Sequence, residues 1–374
     1  MKLILTMILL ISALPMIAVA QVKESCAGFQ MQIKETYNFK PSKLSGAERD
    51  AKSAAMDKVW NIVKTKSKEL LPCLRAALAN PKADQWFLFD GSNLLVELDP
   101  SPESKAVQIR NYMLVDLDDV NLQVWVETLA QRGTEGFDVS EAGNRWLTYP
   151  KAKYFLPRHG AYEVKTFQGA LFIYGSMDEF KATPALLKIV NQANHPGRED
   201  ALWILLSQAT PESLRALKQI DASAFSEKAQ KSLRTFLNGP EFVTPRAKPK
   251  TSREEFLRAF QDIVSGNWDK FSQLVSQVPD GEKDVVAVLK PEDAPLVRKV
   301  RRLIIANANP HAIEFYHSFT SILMTMMWKP DLLKGDSTAS NIKQLHASER
   351  DLACPSSRIC PSRSFNARLM MPSV

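Results

Sequence analysis

Histidine is the side chain best suited to proton transfer near neutral pH, and this chain of 374 residues has His159, His195, His311, His317 and His346. His311 and His317 fall on one predicted helix about 600° apart, whereas two ligands for one metal ion need a spacing of three or four residues. His195 precedes a run of helical periodicity and reads as a residue at a helix entry. His159, in Pro157-Arg158-His159-Gly160, sits in a predicted loop. There, with Arg158, it offers a general base or an anion contact, against the plainer reading of a turn residue. The run Asp116-Leu117-Asp118-Asp119 lacks the alternating oxygen donors, the Gly and the Glu of a calcium loop, so capping of the next helix by Asp118 or Asp119 is expected. The sharpest charged feature is Arg298-Lys299-Val300-Arg301-Arg302. Set among Leu296, Val297, Leu303 and Ile304, it predicts an amphipathic helix with a strongly positive polar side. Arg298, Lys299, Arg301 and Arg302 are therefore candidate contacts for an anionic glycan or lipid surface, against the reading of a solvated helix face.

The usual enzyme signatures are missing from the sequence. It has no phosphate-binding G-x-x-x-x-G-K-[ST], no G-x-G-x-x-G after a strand, no H-E-x-x-H and no G-x-S-x-G elbow. No catalytic residue, metal or cofactor is assigned on this basis, and a binding protein is expected ahead of an enzyme. Lys2, the apolar run Leu3 to Ile17 and the small residues Ala18-Val19-Ala20 read as a signal peptide over residues 1–20, which predicts an exported, periplasmic or extracellular protein. Export makes disulfides of Cys26, Cys73, Cys354 and Cys360 expected. Sequence separation favours Cys26–Cys73 with Cys354–Cys360 among three connectivities, and two unpaired tail thiols are the alternative for the second pair. A net charge of +7 is modest for this length, and no nucleic-acid partner is expected outside the cell.

The elements that would position these residues read as helices. Ser101-Pro102, Thr183-Pro184, Thr210-Pro211 and Asn309-Pro310 each place a capping side chain before a proline at the first helical position. Asp138-Val139-Ser140-Glu141 and Ser252-Arg253-Glu254-Glu255 read as capping boxes. Leu122, Val126, Leu129 and Ala130, then Ala201, Leu202, Leu205 and Leu206, keep a helical rhythm, and short connections predict antiparallel hairpins. Ala47 to Leu71 reads as one long helix ended or bent near Pro72, while Trp86 to Leu98 and Gly169 to Ser176 are apolar runs assigned to helix. The Pro- and Lys-containing segment 239–251 reads as a linker between a helical-repeat region, 81–238, and a smaller helical domain, 252–330. Residues 21–80 form an N-terminal segment, and the Ser-, Arg- and Pro-rich tail 331–374 is expected to be disordered.

Asn194 to Leu206, followed by Thr210 to Ile220, resembles a HEAT-type repeat, with Arg198, Ala201 and Leu205 at its Arg and Ala-x-x-x-Leu positions. Pro102 to Ala130 is similar to a looser copy, and Asp138 to Leu147 to half of one. The chain is also similar to exported bacterial HEAT-repeat-containing proteins of unknown function, which imply no activity. The resemblance implies an all-α fold, an irregular α-solenoid of helical hairpins followed by the smaller domain. It also implies a scaffold role toward a protein or peptide partner. The competing class is a cell-envelope enzyme or carbohydrate-binding protein with a cleft between the two halves, using Arg158, His159 and the positive face from Arg298 to Arg302.

Overall fold

The computed structural model describes residues 26–37, 45–149, 151, 153–156, 162–208, 210–238, 243–268, 281–309 and 311–328. The expected signal peptide, Arg158, His159, Cys354, Cys360 and the expected tail lie outside them.

Capping chemistry sets most helix starts. After α1 (26–37), Ser45 and Glu48 close a capping box that begins α2 (Gly46–Thr65). The chain breaks at Lys66, not at Pro72, and α3 (Ser67–Leu78) runs through the proline. The break falls in the polar run Lys64-Thr65-Lys66-Ser67-Lys68, where nothing apolar holds the helix to the core. Pro72 falls in the second turn of α3, which continues past it to Leu78. Asp84 caps α4 (Gln85–Leu98), and Ser101 caps α5 (Pro102–Tyr112) with Pro102 inside the first turn. Both apolar runs assigned to helix are helical, the first in α4 and the second in a helix over Thr166–Ser176.

Other starts differ from expectation. Asn121, not Asp118 or Asp119, caps α6 (Leu122–Thr134) by accepting from Val124 N. Asp118 instead accepts from the Tyr149 hydroxyl and from Lys151 Nζ. Asp138 accepts from Ser140 N at 2.9 Å, so the expected box does not close at α7 (Ser140–Thr148). A short antiparallel ribbon, β1 (Tyr154–Leu156) and β2 (Tyr162–Val164), pairs Tyr154 with Val164. Past α8 (Thr166–Ser176), Asp178 begins α9 (Glu179–Val190), which places Thr183-Pro184 inside that helix. The earlier cap decides the start, and Thr183 Oγ1 is left to donate to Gln208 Oε1 at 2.6 Å. His195 stands in the turn before α10 (Arg198–Ser207), its Nδ1 accepting from Gly197 N. Thr210 caps α11 (Pro211–Leu217), and α12 (Glu227–Asn238) follows.

The fold is all-α apart from that ribbon. Its centre is α8, in which every residue from Gly169 to Ser176 is buried. Such a helix needs cover on all sides. It packs against α6, α7 and α10, and against a helix far away in sequence, α15 (Ala294–Ala306), which also crosses α6. Consequently 239–251 does not divide the chain into separate bodies, and the described residues fall in one compact unit. Val243 N donates to Thr325 Oγ1, and Arg246 pairs with the buried Asp284 of α14 (Gly281–Val288) at 2.5 Å, so this segment is strapped to the helices after it. α13 (Arg253–Val264), opened by the expected Ser252–Glu255 box, packs on α15. So does α16 (Ala312–Trp328), which follows Asn309, whose Oδ1 accepts from His311 N. Ile305, Ala308 and Tyr316 join the main core.

Close approach of α7 to α8 depends on glycine. A Cβ on Gly169 would lie 2.4 Å from Trp146 Cε2. That indole is fixed by its hydrogen bond to Thr166 O at 2.9 Å and by stacking on Trp125. Gly169→Ala is expected to cost about 1–3 kcal/mol by overpacking. Gly28→Ala meets nothing within 4 Å on α1 and should be neutral or stabilise by up to about 1 kcal/mol. Urea unfolding followed by tryptophan fluorescence tests both.

Candidate functional site

The sequence points to the basic run on α15, and the structure gives it a different surrounding. Arg298 is 8% exposed and Arg301 1%, so the helix does not present them as a solvated positive face. The correction has a simple cause: α15 packs against four helices, α6, α8, α13 and α16. Its polar residues are therefore drawn inside with its apolar ones. Lys299 and Arg302 are half-buried.

Arg298, Arg301 and Arg302 converge on Glu179, at the first position of α9 and 4% exposed. Arg301 Nη2 donates to Glu179 Oε1 at 2.7 Å and Arg302 Nη1 to Oε2 at 3.3 Å, with Arg298 Nη1 3.8 Å from Oε1. Arg301 also donates to the carbonyls of Ser207 and Gln208 at 3.0 and 2.9 Å, which are the last acceptors of α10. Its guanidinium lies 4.9 Å from the centroid of the Tyr316 ring. Burial works against the Glu179 charge, but the guanidiniums of Arg302, Arg301 and Arg298 more than offset it and hold the carboxyl down at about 2. One arginine thus joins α9, α10, α15 and α16.

A second cluster gathers at the other end of the chain. Cys26 and Cys73 form a disulfide that ties the start of α1 to α3, as sequence separation favoured. At the end of α1, Tyr37 is 0% exposed and lies between Trp60 and Phe87, at centroid distances of 5.8 and 5.7 Å. Its hydroxyl makes no hydrogen bond among the described residues, and burial first, then the Asp90 and Asp84 carboxylates, push its phenol up. Asp57 and Asp84 lie nearby.

Compared with family models, with curated proteins and with solved structures, the chain matches none of them. Function has to be argued from its own geometry. Among the described residues no group of three His, Cys, Asp or Glu is placed to hold a metal ion, and no helix is long and apolar enough to cross a membrane. His195 Nε2 contacts Asn144 Oδ1 at 2.8 Å, and burial lowers its affinity for a proton. It serves a turn. Arg198, the arginine of the HEAT-type pattern, donates to Val190 O and Ala224 O and lies over Phe225, bridging α9 to the approach of α12.

Neither Glu179 nor Tyr37 with Asp90 was singled out by sequence. An acid in a first helical turn is an ordinary dipole partner. Only the fold brings Glu179 to arginines more than a hundred residues away.

Proposed function

We propose that this chain is an exported scaffold of irregular HEAT-type helical hairpins that binds a protein or peptide partner in the cell envelope. The observation that supports it best is how the charges of α15 are used. They lock α15 and α16 onto the hairpins of α9 and α10 through Glu179, the Ser207 carbonyl and the Gln208 carbonyl. We read these packed helices as a body that presents continuous helix faces to a partner. The Cys26–Cys73 disulfide fits an oxidising compartment. The cleft of the competing enzyme reading was to use the α15 arginines, and Arg298 and Arg301 are engaged in the interior instead.

The test uses the chain from Gln21 onward as immobilised bait against a detergent-solubilised envelope fraction. The captured protein is then purified and titrated calorimetrically. Saturable binding at a simple stoichiometry supports the scaffold. Retention of glycan or anionic vesicles without any protein, or turnover of an envelope polysaccharide, overturns it in favour of the ligand-binding or enzymatic class.

A further inference from the structure

Helix α1 is held at its two ends by unlike means, a covalent bond from Cys26 to α3 and ring contacts from Tyr37 to α2 and α4. We infer that α1 is a redox-operated latch: while Cys26–Cys73 is closed it stays docked, and reduction of that one bond frees it as a unit while the helices beneath it remain folded.

Three observations support the latch. The covalent end offers one point of attack, since Cys26 is half-buried whereas Cys73 is 0% exposed. The other end is held mainly by packing. Phe29, Ile33 and Tyr37 are buried along one stripe, while Gln30, Met31, Lys34 and Glu35 remain exposed. Thr36 Oγ1 turns back to Gln32 O at 2.8 Å within α1, Lys52 Nζ reaches Thr36 O only at 3.4 Å, and the buried Tyr37 hydroxyl makes no hydrogen bond among the described residues. Burying that hydroxyl unpaired works against docking. Finally, α1 spans only residues 26–37, a length at which a helix is marginal in water without tertiary support.

The reductant is a dithiol. Its thiolate attacks Cys26 Sγ, the S–S bond breaks, and Cys73 leaves as a thiolate that takes up a proton. The second thiolate of the reductant then displaces Cys26 from the mixed disulfide, so two electrons and two protons reach the cysteine pair and the dithiol ends as a disulfide. Release takes Tyr37 out of contact with Trp60 and Phe87, whose own rings lie stacked at 6.1 Å.

Dithiothreitol, added to the full chain without denaturant, tests this when thiol alkylation is mapped by mass spectrometry and amide hydrogen exchange is followed on the same samples. Cys26 and Cys73 should become reactive, the protection of residues 29–37 should fall roughly tenfold or more while α8 amides hold theirs, and re-oxidation should restore it. The double variant Cys26→Ala with Cys73→Ala should show the reduced chain's α1 protection with or without dithiothreitol. The latch is overturned if the bond resists dithiothreitol until urea unfolds the chain, if α1 protection is unchanged after full reduction, if α8 loses protection equally, or if the double variant still responds to the reagent.

Discussion

Glu179→Gln is expected to lower unfolding free energy by about 3–5 kcal/mol, because it removes the carboxylate on which three guanidiniums converge and leaves their charges in the interior. Glutamine keeps the shape of the side chain and one acceptor, so a loss of this size reports charge rather than a cavity. The pH profile gives an independent reading. Glu179 is held at about 2 against an ordinary 4.5, so its stabilisation is complete above 4.5 and disappears as pH falls toward 2. Wild type should thus converge on Glu179→Gln in acid and separate from it at neutral pH, as measured by urea midpoints at a series of pH values. Arg301→Met should also destabilise, since Gln208 O loses the Arg301 guanidinium and Ser207 O keeps only the Thr320 hydroxyl as a donor. The double variant should lose less than the two single losses added, by about 1–3 kcal/mol, as groups in one network do. Strict additivity would show that Glu179 and Arg301 do not act together.

The same residues show where sequence reasoning reaches and where it stops. Ser101, Thr210 and Ser252 were legible as caps because a cap is a local contract between a side chain and amides two or three residues on. The helical identity of α4 and α8 was legible from apolar runs among helical neighbours. Where two local signals compete, the chain settles the matter by context: Asp178 begins α9 ahead of Thr183, and Asn121 begins α6 instead of Asp118. The basic run on α15 was visible, but its surroundings were not. A pattern of four cations beside valine and isoleucine is the same whether the polar side meets water or meets Glu179. What separates the two is a contact across more than a hundred residues, which no local periodicity encodes. For a like reason segment 239–251 has the composition of a linker, yet Arg246 anchors it to Asp284. Cys26–Cys73 was legible from separation alone, since α1 and α3 are joined by a stretch short enough to fold back on itself.

Replacing that disulfide by Cys26→Ala with Cys73→Ala is expected to cost about 2–4 kcal/mol, and the mechanism predicts more than a lower midpoint. The bond closes a sequence separation of 47 residues, for which chain entropy alone gives about 4 kcal/mol. Alanine suits the Cys73 site, which is fully buried among Leu70, Leu74 and Leu78, whereas serine would add an unpaired hydroxyl. Most of the effect lies in the unfolded chain, which expands when the loop is opened, so the urea dependence should steepen along with the fall in midpoint. In the native state the loss should be local. Once untethered, α1 is held by Phe29, Ile33 and Tyr37 and by the Lys52 contact to the Thr36 carbonyl, and its amides should exchange faster while those of α8, buried from Gly169 to Ser176, hold their protection. A uniform loss of protection from α1 to α16 would mean instead that the N-terminal helix is integral to the core and folds only with it.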